Sequence, residues 1–208
     1  MTVTRRERAY YRAFGVDDLI RPHLFPGARV LDVGSSDGSG SAVLKELQVD
    51  AVDIHRPSLD AARAAGVRGR CIQADIMALP FADGSYDVVT ALDVIEHLPK
   101  EGGLALLDEL ERVCRGQVVV LTPYGFMEQP PYPDQPWMEH KSGWWPRDFA
   151  DRGYRTLGAG GVRVCRRHEE LTAFRWGPLG KAIGLARVPL TRRVPQAAFD
   201  LVAVKQVA

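Results

Sequence analysis

The chain has 208 residues, 46% hydrophobic and 25% charged, with a formal net charge of +1. That balance belongs to an ordinary folded protein and excludes a disordered tail, a collagenous fibre and a coiled coil. A chain this long is expected to form one domain that buries roughly 70% of its unfolded surface.

No stretch reaches the roughly 18 uncharged apolar residues that a membrane-spanning helix requires. No apolar run follows Met1–Glu7, so no secretory signal is expected. Cys71, Cys114 and Cys165 are odd in number and scattered, which suits neither a disulfide framework nor a zinc site. A reducing cytoplasm is the expected location.

Arg5–Phe14 reads as a short leading helix within an N-terminal cap, residues 1–27. Residues 28–33 form a buried-strand run that ends in a loop of Gly and Ser. Ala42 to Leu47 has helical character, and residues 49–53 read as a second strand. A helix over Pro57–Ala65 has its proline in the first turn, where the missing N–H costs nothing. Residues 70–74 and 86–91 give strands three and four. Leu104, Leu107, Leu110, Glu111 and Val113 then make one helical stripe, leaving Asp108, Glu109 and Arg112 to water. Residues 118–121 are strand five. This alternation predicts a doubly wound α/β fold: a Rossmann-like, mostly parallel seven-stranded sheet with helices on both faces, in a single domain.

After Thr122-Pro123 the texture changes. Tyr124–Phe149 holds seven of the 17 aromatic residues and five prolines. A long loop of that composition is expected to be ordered and functional, here an acceptor lid over residues 123–150. The final strands begin at Tyr154 and at Ala198, with a basic insertion between them. Residues 1–151 carry 16 Lys/Arg against 23 Asp/Glu, whereas residues 152–208 carry 11 against three. The basic segment, residues 163–193, would suit an anionic partner, although mutual neutralisation of the two halves is the favoured reading of the asymmetry.

The first chemistry lies in Val30-Leu31-Asp32-Val33-Gly34-Ser35-Ser36-Asp37-Gly38. A strand that feeds a small-residue turn lets backbone approach a nucleotide-like ligand. The spacing is not G-x-G-x-x-G, which counts against a dinucleotide. Asp32 and Asp37 would repel a pyrophosphate, whereas S-adenosylmethionine carries an ammonium and a sulfonium and no phosphate. Asp53 ends the second strand, where a carboxylate can accept ribose hydroxyls. Asp75 follows the third strand and can accept from an adenine amine. Three carboxylates at three successive strand ends share one edge of a sheet.

On these residues the chain resembles the class I S-adenosylmethionine-dependent methyltransferases, over roughly residues 28–122, taken here as the cofactor-binding core. Asp32-Val33-Gly34 with Gly38 is similar to the family's first motif, with Ser36 where a glycine is usual. The resemblance implies S-adenosylmethionine as cofactor, bound by Asp32, Gly34, Ser36, Gly38, Asp53, Ile54, Asp75, Ile76 and Leu92. Ile54 would lie against the adenine, and Leu92 would supply a backbone carbonyl to the cofactor's amine.

Methyl transfer needs the acceptor aligned with the methyl group, and for a hydroxyl it needs a proton acceptor. Candidates follow strands four and five: His97, in Asp93-Val94-Ile95-Glu96-His97, and His140, beside Glu139 in the aromatic loop. His97 suits packing as well as base chemistry. His23, His55 and His168 have no constellation around them and are expected to be solvated. Asp93, Glu96, His97 and His140 also resemble the metal-binding set of small-RNA 3′-end 2′-O-methyltransferases, with Asp93 replacing a glutamate. Metal-free relatives carry such patterns too, and the expectation is a site without metal. The expected function is methyl transfer to an oxygen or nitrogen of a small-molecule acceptor, for which an anionic character would suit the basic segment. Nucleic acid is a lesser expectation as partner. The alternatives are an RNA-directed, metal-dependent 2′-O-methyltransferase and a non-catalytic cofactor-binding module.

Overall fold

Apolar runs too short for helices become the central strands of the protein, here described from a computed structural model covering residues 16–37, 44, 47–66, 69–163, 177–186 and 188–207. In chain order the strands are β1 (Val30–Val33), β2 (Val49–Asp53), β3 (Cys71–Gln73), β4 (Tyr86–Leu92), β5 (Cys114–Pro123), β6 (Arg155–Val162) and β7 (Ala198–Gln206). They form one seven-stranded sheet in the order β3-β2-β1-β4-β5-β7-β6. β1 to β5 pair in parallel, and β7 runs antiparallel between β5 and β6.

The helices are α1 (Val16–Ile20), α2 (Arg56–Ala64), α3 (Lys100–Val113), α4 (Pro146–Ala150), α5 (Gly177–Ala186) and α6 (Val188–Arg193). The doubly wound architecture expected from the alternation is therefore present. Strand side chains alternate between faces with period two. Val118, Val120, Leu201 and Ala203 pack with Leu106, Leu107, Leu110 and Val113 of α3 on one face. Val119, Leu121, Val202 and Val204 pack with Val16, Leu19 and Ile20 of α1 on the other.

The strand order reverses on either side of β1, which lies between β2 and β4. Such a switch point opens a crevice at the carboxyl ends of the strands. Asp32, Asp53 and Leu92 all lie on strands that end there.

Several local expectations change. Leu104 is exposed, and Leu106 takes its place on the buried face of α3. Glu109 and Arg112 do not simply meet water: they pair with each other and hold the Leu79 N–H and the Leu79 and Phe81 carbonyls. Glu111 pairs with Arg152 and Lys205. Strand five begins earlier than residue 118, at Cys114, because α3 passes into the strand without a loop. The expected helix at Arg5–Phe14 lies outside the described residues. So does most of the stretch from Ala42 to Leu47, of which Leu44 and Leu47 are described. Among the described residues no helix is long and apolar enough to cross a membrane.

Candidate active site

β1 ends in a tight turn whose geometry selects its residues. Gly34 has φ +71° and Ser36 has φ +49°, both in the left-handed region. A Cβ on Gly34 would lie 2.6 Å from Cγ2 of Val94, so glycine is required there twice over. Ser36 stands where the resemblance expects glycine, and its positive φ gives the reason for that preference. The turn is tied down by Gly34 N–H and Ser35 N–H, which both donate to the Val52 carbonyl at 2.8 and 3.0 Å. Ser36 N–H donates to Oδ2 of Asp53 at 2.8 Å.

The three carboxylates have different surroundings. Asp53 is buried and also accepts the His55 N–H on Oδ1 at 2.8 Å. Each of its oxygens keeps a further lone pair for a ribose hydroxyl. Asp32 is buried, and its Oδ1 accepts the Thr90 hydroxyl at 2.7 Å. Burial raises its carboxyl to about 7, against the Thr90 hydrogen bond, and the Asp53 charge adds to the rise. Asp75 is exposed, and its Oδ1 accepts the Met77 N–H at 2.9 Å.

Around them, Ile54 is 56% exposed at the mouth of the crevice, while Ile76 packs on the core. Leu92 is buried at the end of β4, and Asp93 after it has φ +55°. Gly38 lies outside the described residues. The Ser35 hydroxyl is buried without a hydrogen-bond partner. A ligand offering an amine and hydroxyls, and no phosphate, matches this set of acidic and hydroxyl groups, and S-adenosylmethionine is such a ligand.

Beside β4, a 3-10 turn over Ile95–His97 carries Glu96 and His97. The aromatic segment brings His140 against it. Lys141 N–H and Ser142 N–H both donate to the Glu96 carbonyl, at 2.7 and 3.1 Å. The rings of His97 and His140 meet edge to face with centroids 4.8 Å apart. Nδ1 of His97 pairs with the Glu139 carbonyl at 3.2 Å, and Nδ1 of His140 with the Met127 carbonyl at 2.8 Å. A carbonyl only accepts, so each Nδ1 carries the proton and each Nε2 keeps the lone pair.

Burial lowers His97 to about 4, and the His140 ring beside it pushes the same way. Burial lowers His140 as well. Glu96 is almost fully buried, and its Oε2 accepts the Thr122 hydroxyl at 2.9 Å. Burial holds its carboxyl well above the usual carboxylate range, reinforced by the charges of Asp93 and Asp200. One ligating atom from each of Glu96, His97 and His140 lies within 4.8 Å of the others. Sequence reasoning put Glu96 only in a metal pattern and missed Thr122, although Thr122-Pro123 closes β5 beside the site. Glu139 enters through its backbone carbonyl.

The aromatic segment is anchored from below. Trp144 and Phe149 are fully buried in the core. The Lys100 ammonium lies 3.5 Å from the centroid of the Trp144 ring and bonds Asp148 and the Gly143 carbonyl. At its outer end Trp137 packs on His55 with centroids 4.8 Å apart, so the segment reaches the residues beside Ile54. His55 is thus a packing residue bonded to Ser58, and His23 is half-buried against Gln117, contrary to the expectation of solvated rings. In the basic segment, Arg163 stacks on Tyr124 at 4.5 Å and Arg192 pairs with Asp18.

Comparison with known proteins agrees with the geometry. Residues 31–122 match the family model described as a methyltransferase domain. An uncharacterized methyltransferase of Mycobacterium sp. (strain KMS) is 39% identical over 101 residues, 47% of this chain and 39% of that protein. A ubiquinone biosynthesis O-methyltransferase of Bordetella parapertussis is 37% identical over 81 residues, 35% of this chain and 33% of that protein. The chain thus spans less than half the length of either relative. A crystal structure of a SAM-dependent methyltransferase from Archaeoglobus fulgidus superposes with a TM-score of 0.60 at 17% identity, covering 97% of this chain and 94% of that one.

Proposed function

We propose that this chain, whose core is a class I S-adenosylmethionine-dependent methyltransferase domain with S-adenosylmethionine as its cofactor, methylates a hydroxyl of a small aromatic acceptor. The observation that carries the reading is the pair of imidazoles, His97 and His140, that meet edge to face beside the carboxyl edge of β4. Asp32, Asp53 and Asp75 would hold the cofactor by its amine, ribose and adenine, with Ile54 and Ile76 as apolar contacts. Gly34 and Ser36 would shape the turn, and Leu92 would offer its carbonyl. When bound, the cofactor supplies an electrophilic methyl on a sulfonium.

The rest of the work falls to the chain. Tyr124–Trp145 would form one wall of the acceptor site, with Phe126 exposed there for an apolar ring. Arg163, stacked on Tyr124, supplies a cation for an acceptor of anionic character. The Nε2 lone pairs of His97 and His140 orient the acceptor hydroxyl, and one of them takes its proton as the oxygen–carbon bond forms and the carbon–sulfur bond breaks with its electron pair left on sulfur; the proton then passes to water. An imidazole held near 4 is a weak base at neutral pH, so the acceptor must itself be acidic, as a phenol is. Glu139 sets the His97 ring through its carbonyl. The Bordetella relative acts in ubiquinone biosynthesis as an O-methyltransferase, which fits oxygen better than nitrogen.

Calorimetric titration with S-adenosylhomocysteine and with NAD tests the cofactor half. Micromolar binding of the first alone, lost in Asp53→Ala, is expected; no binding overturns the reading. Methyl transfer from labelled cofactor to a panel of phenols and aromatic amines tests the acceptor half. Transfer to amines alone would remove the hydroxyl assignment.

A further inference from the structure

Glu96, His97 and His140 carry more chemistry than proton transfer uses, and with an ion bound the two Nε2 lone pairs would ligate it instead of taking the acceptor's proton, which would pass to water. We propose that these three side chains bind a divalent first-row transition-metal ion whose open coordination positions face the acceptor. The proposal rests on the acceptor site assigned above only for what the ion faces; ion binding itself stands on the three side chains.

Ligand atoms about 2.0–2.2 Å from one ion lie roughly 3–4 Å from each other. The three atoms here lie within 4.8 Å of one another, so side-chain rotations of about an ångström close the set. The imidazoles are already in the required tautomer. Each donates Nδ1–H to a backbone carbonyl, of Glu139 for His97 and of Met127 for His140. Metal-ligating histidines need such a partner on the distal nitrogen, because it fixes the ring and raises the basicity of Nε2. Glu96 is held in the same way by the Thr122 hydroxyl on Oε2, which leaves Oε1 to ligate.

The cluster is also preorganised without an ion. Lys141 and Ser142 donate to the Glu96 carbonyl and fix His140 against the turn that carries the other two ligands. Two nitrogens and one carboxylate oxygen favour a transition ion such as Zn²⁺, Co²⁺ or Mn²⁺ over Mg²⁺ or Ca²⁺, which prefer all-oxygen sites. Three protein ligands leave one to three positions for water or an acceptor oxygen. An acceptor hydroxyl bound there would lose its proton to water more readily, and its oxygen would then take the methyl as the carbon–sulfur bond breaks.

The test uses the full chain, stripped with a chelator and titrated with Co²⁺ while visible ligand-field absorption is followed, with S-adenosylhomocysteine binding measured on the same samples. One Co²⁺ per chain is expected, displaced by Zn²⁺. Glu96→Gln, His97→Ala and His140→Ala should each lower the affinity at least about tenfold, while His23→Ala should bind as the parent does. Retained S-adenosylhomocysteine binding shows that a variant is folded. Protein that binds S-adenosylhomocysteine but neither Co²⁺ nor Zn²⁺ overturns the metal site and leaves the methyltransferase reading intact. Co²⁺ binding unchanged in all three variants overturns it as well. Loss of S-adenosylhomocysteine binding by the parent would instead strike the cofactor reading, and the Co²⁺ titration would still decide the metal.

Discussion

The Thr90 hydroxyl donates at 2.7 Å to the buried carboxyl of Asp32, its register partner across the β1–β4 pair. One hydrogen bond does not offset the loss of water, and the carboxyl rises from its ordinary 3.8 to about 7. Below about pH 4 the group is protonated in both folded and unfolded chains and contributes nothing to pH dependence. Between about pH 4 and 7 the unfolded chain releases this proton first, so stability falls as pH rises. The loss reaches about 4 kcal/mol and is complete above about pH 7. Asp32→Asn should remove this dependence. Urea midpoints at pH 4.5 and 8 should therefore differ less in the variant than in the parent, after correction for other groups. Equal differences would mean that Asp32 is solvated.

Two neighbouring turn positions should respond in opposite directions. Gly34→Ala places a Cβ 2.6 Å from Val94 in a backbone with φ +71°. It should cost at least about 2 kcal/mol and weaken S-adenosylhomocysteine binding. Ser36→Gly relieves φ +49° and keeps the backbone N–H that Asp53 accepts. It should gain about 0.5–1 kcal/mol with the affinity nearly unchanged. Denaturation midpoints and calorimetry check both, and a destabilised Ser36→Gly would show that its side chain matters.

The contrast between these turns and the histidine cluster explains what the sequence made legible. Val30–Val33, Val49–Asp53 and the later strands carry local apolar patterns, and the carboxylates sit at strand ends where the chain must turn. The places of Asp32 and Asp53 at the carboxyl edge of the sheet could therefore be read from order and spacing alone. The meeting of Glu96 with His140, the Thr122 hydrogen bond and the packing of Trp137 on His55 are long-range side-chain pairings within an irregular segment. No period encodes them. The end of α3 is not legible either, because its apolar stripe continues to Cys114, the first residue of β5, without a turn signal between them.

Lys100 should act as the pin of the aromatic segment. Its ammonium meets the Trp144 ring at 3.5 Å and Asp148 at 2.8 Å, and it is about one-third exposed. Lys100→Met keeps the stem but removes the charge, and should cost about 1–2 kcal/mol. The loosened segment should be cut faster by protease between residues 124 and 140, with S-adenosylhomocysteine affinity unchanged. Unaltered cleavage would place the anchoring in the buried rings of Trp144 and Phe149 alone.

Thr122 should govern the cluster without touching an ion. Its hydroxyl is buried and donates to Oε2 of Glu96 at 2.9 Å, and valine has nearly the same shape without the donor. In Thr122→Val the Glu96 carboxyl loses a bond that favours its ionised form, so it should move further above the usual carboxylate range. A carboxyl that holds its proton more tightly is a poorer ligand. Co²⁺ affinity at neutral pH should therefore fall about 10–100-fold, and the midpoint of Co²⁺ binding should shift to higher pH. The fold should lose only about 1 kcal/mol, the net worth of one hydrogen bond. S-adenosylhomocysteine binding should stay as in the parent, because Asp32, Asp53 and the turn after β1 are untouched. A merely structural Thr122 would lower stability and leave the pH midpoint where it was.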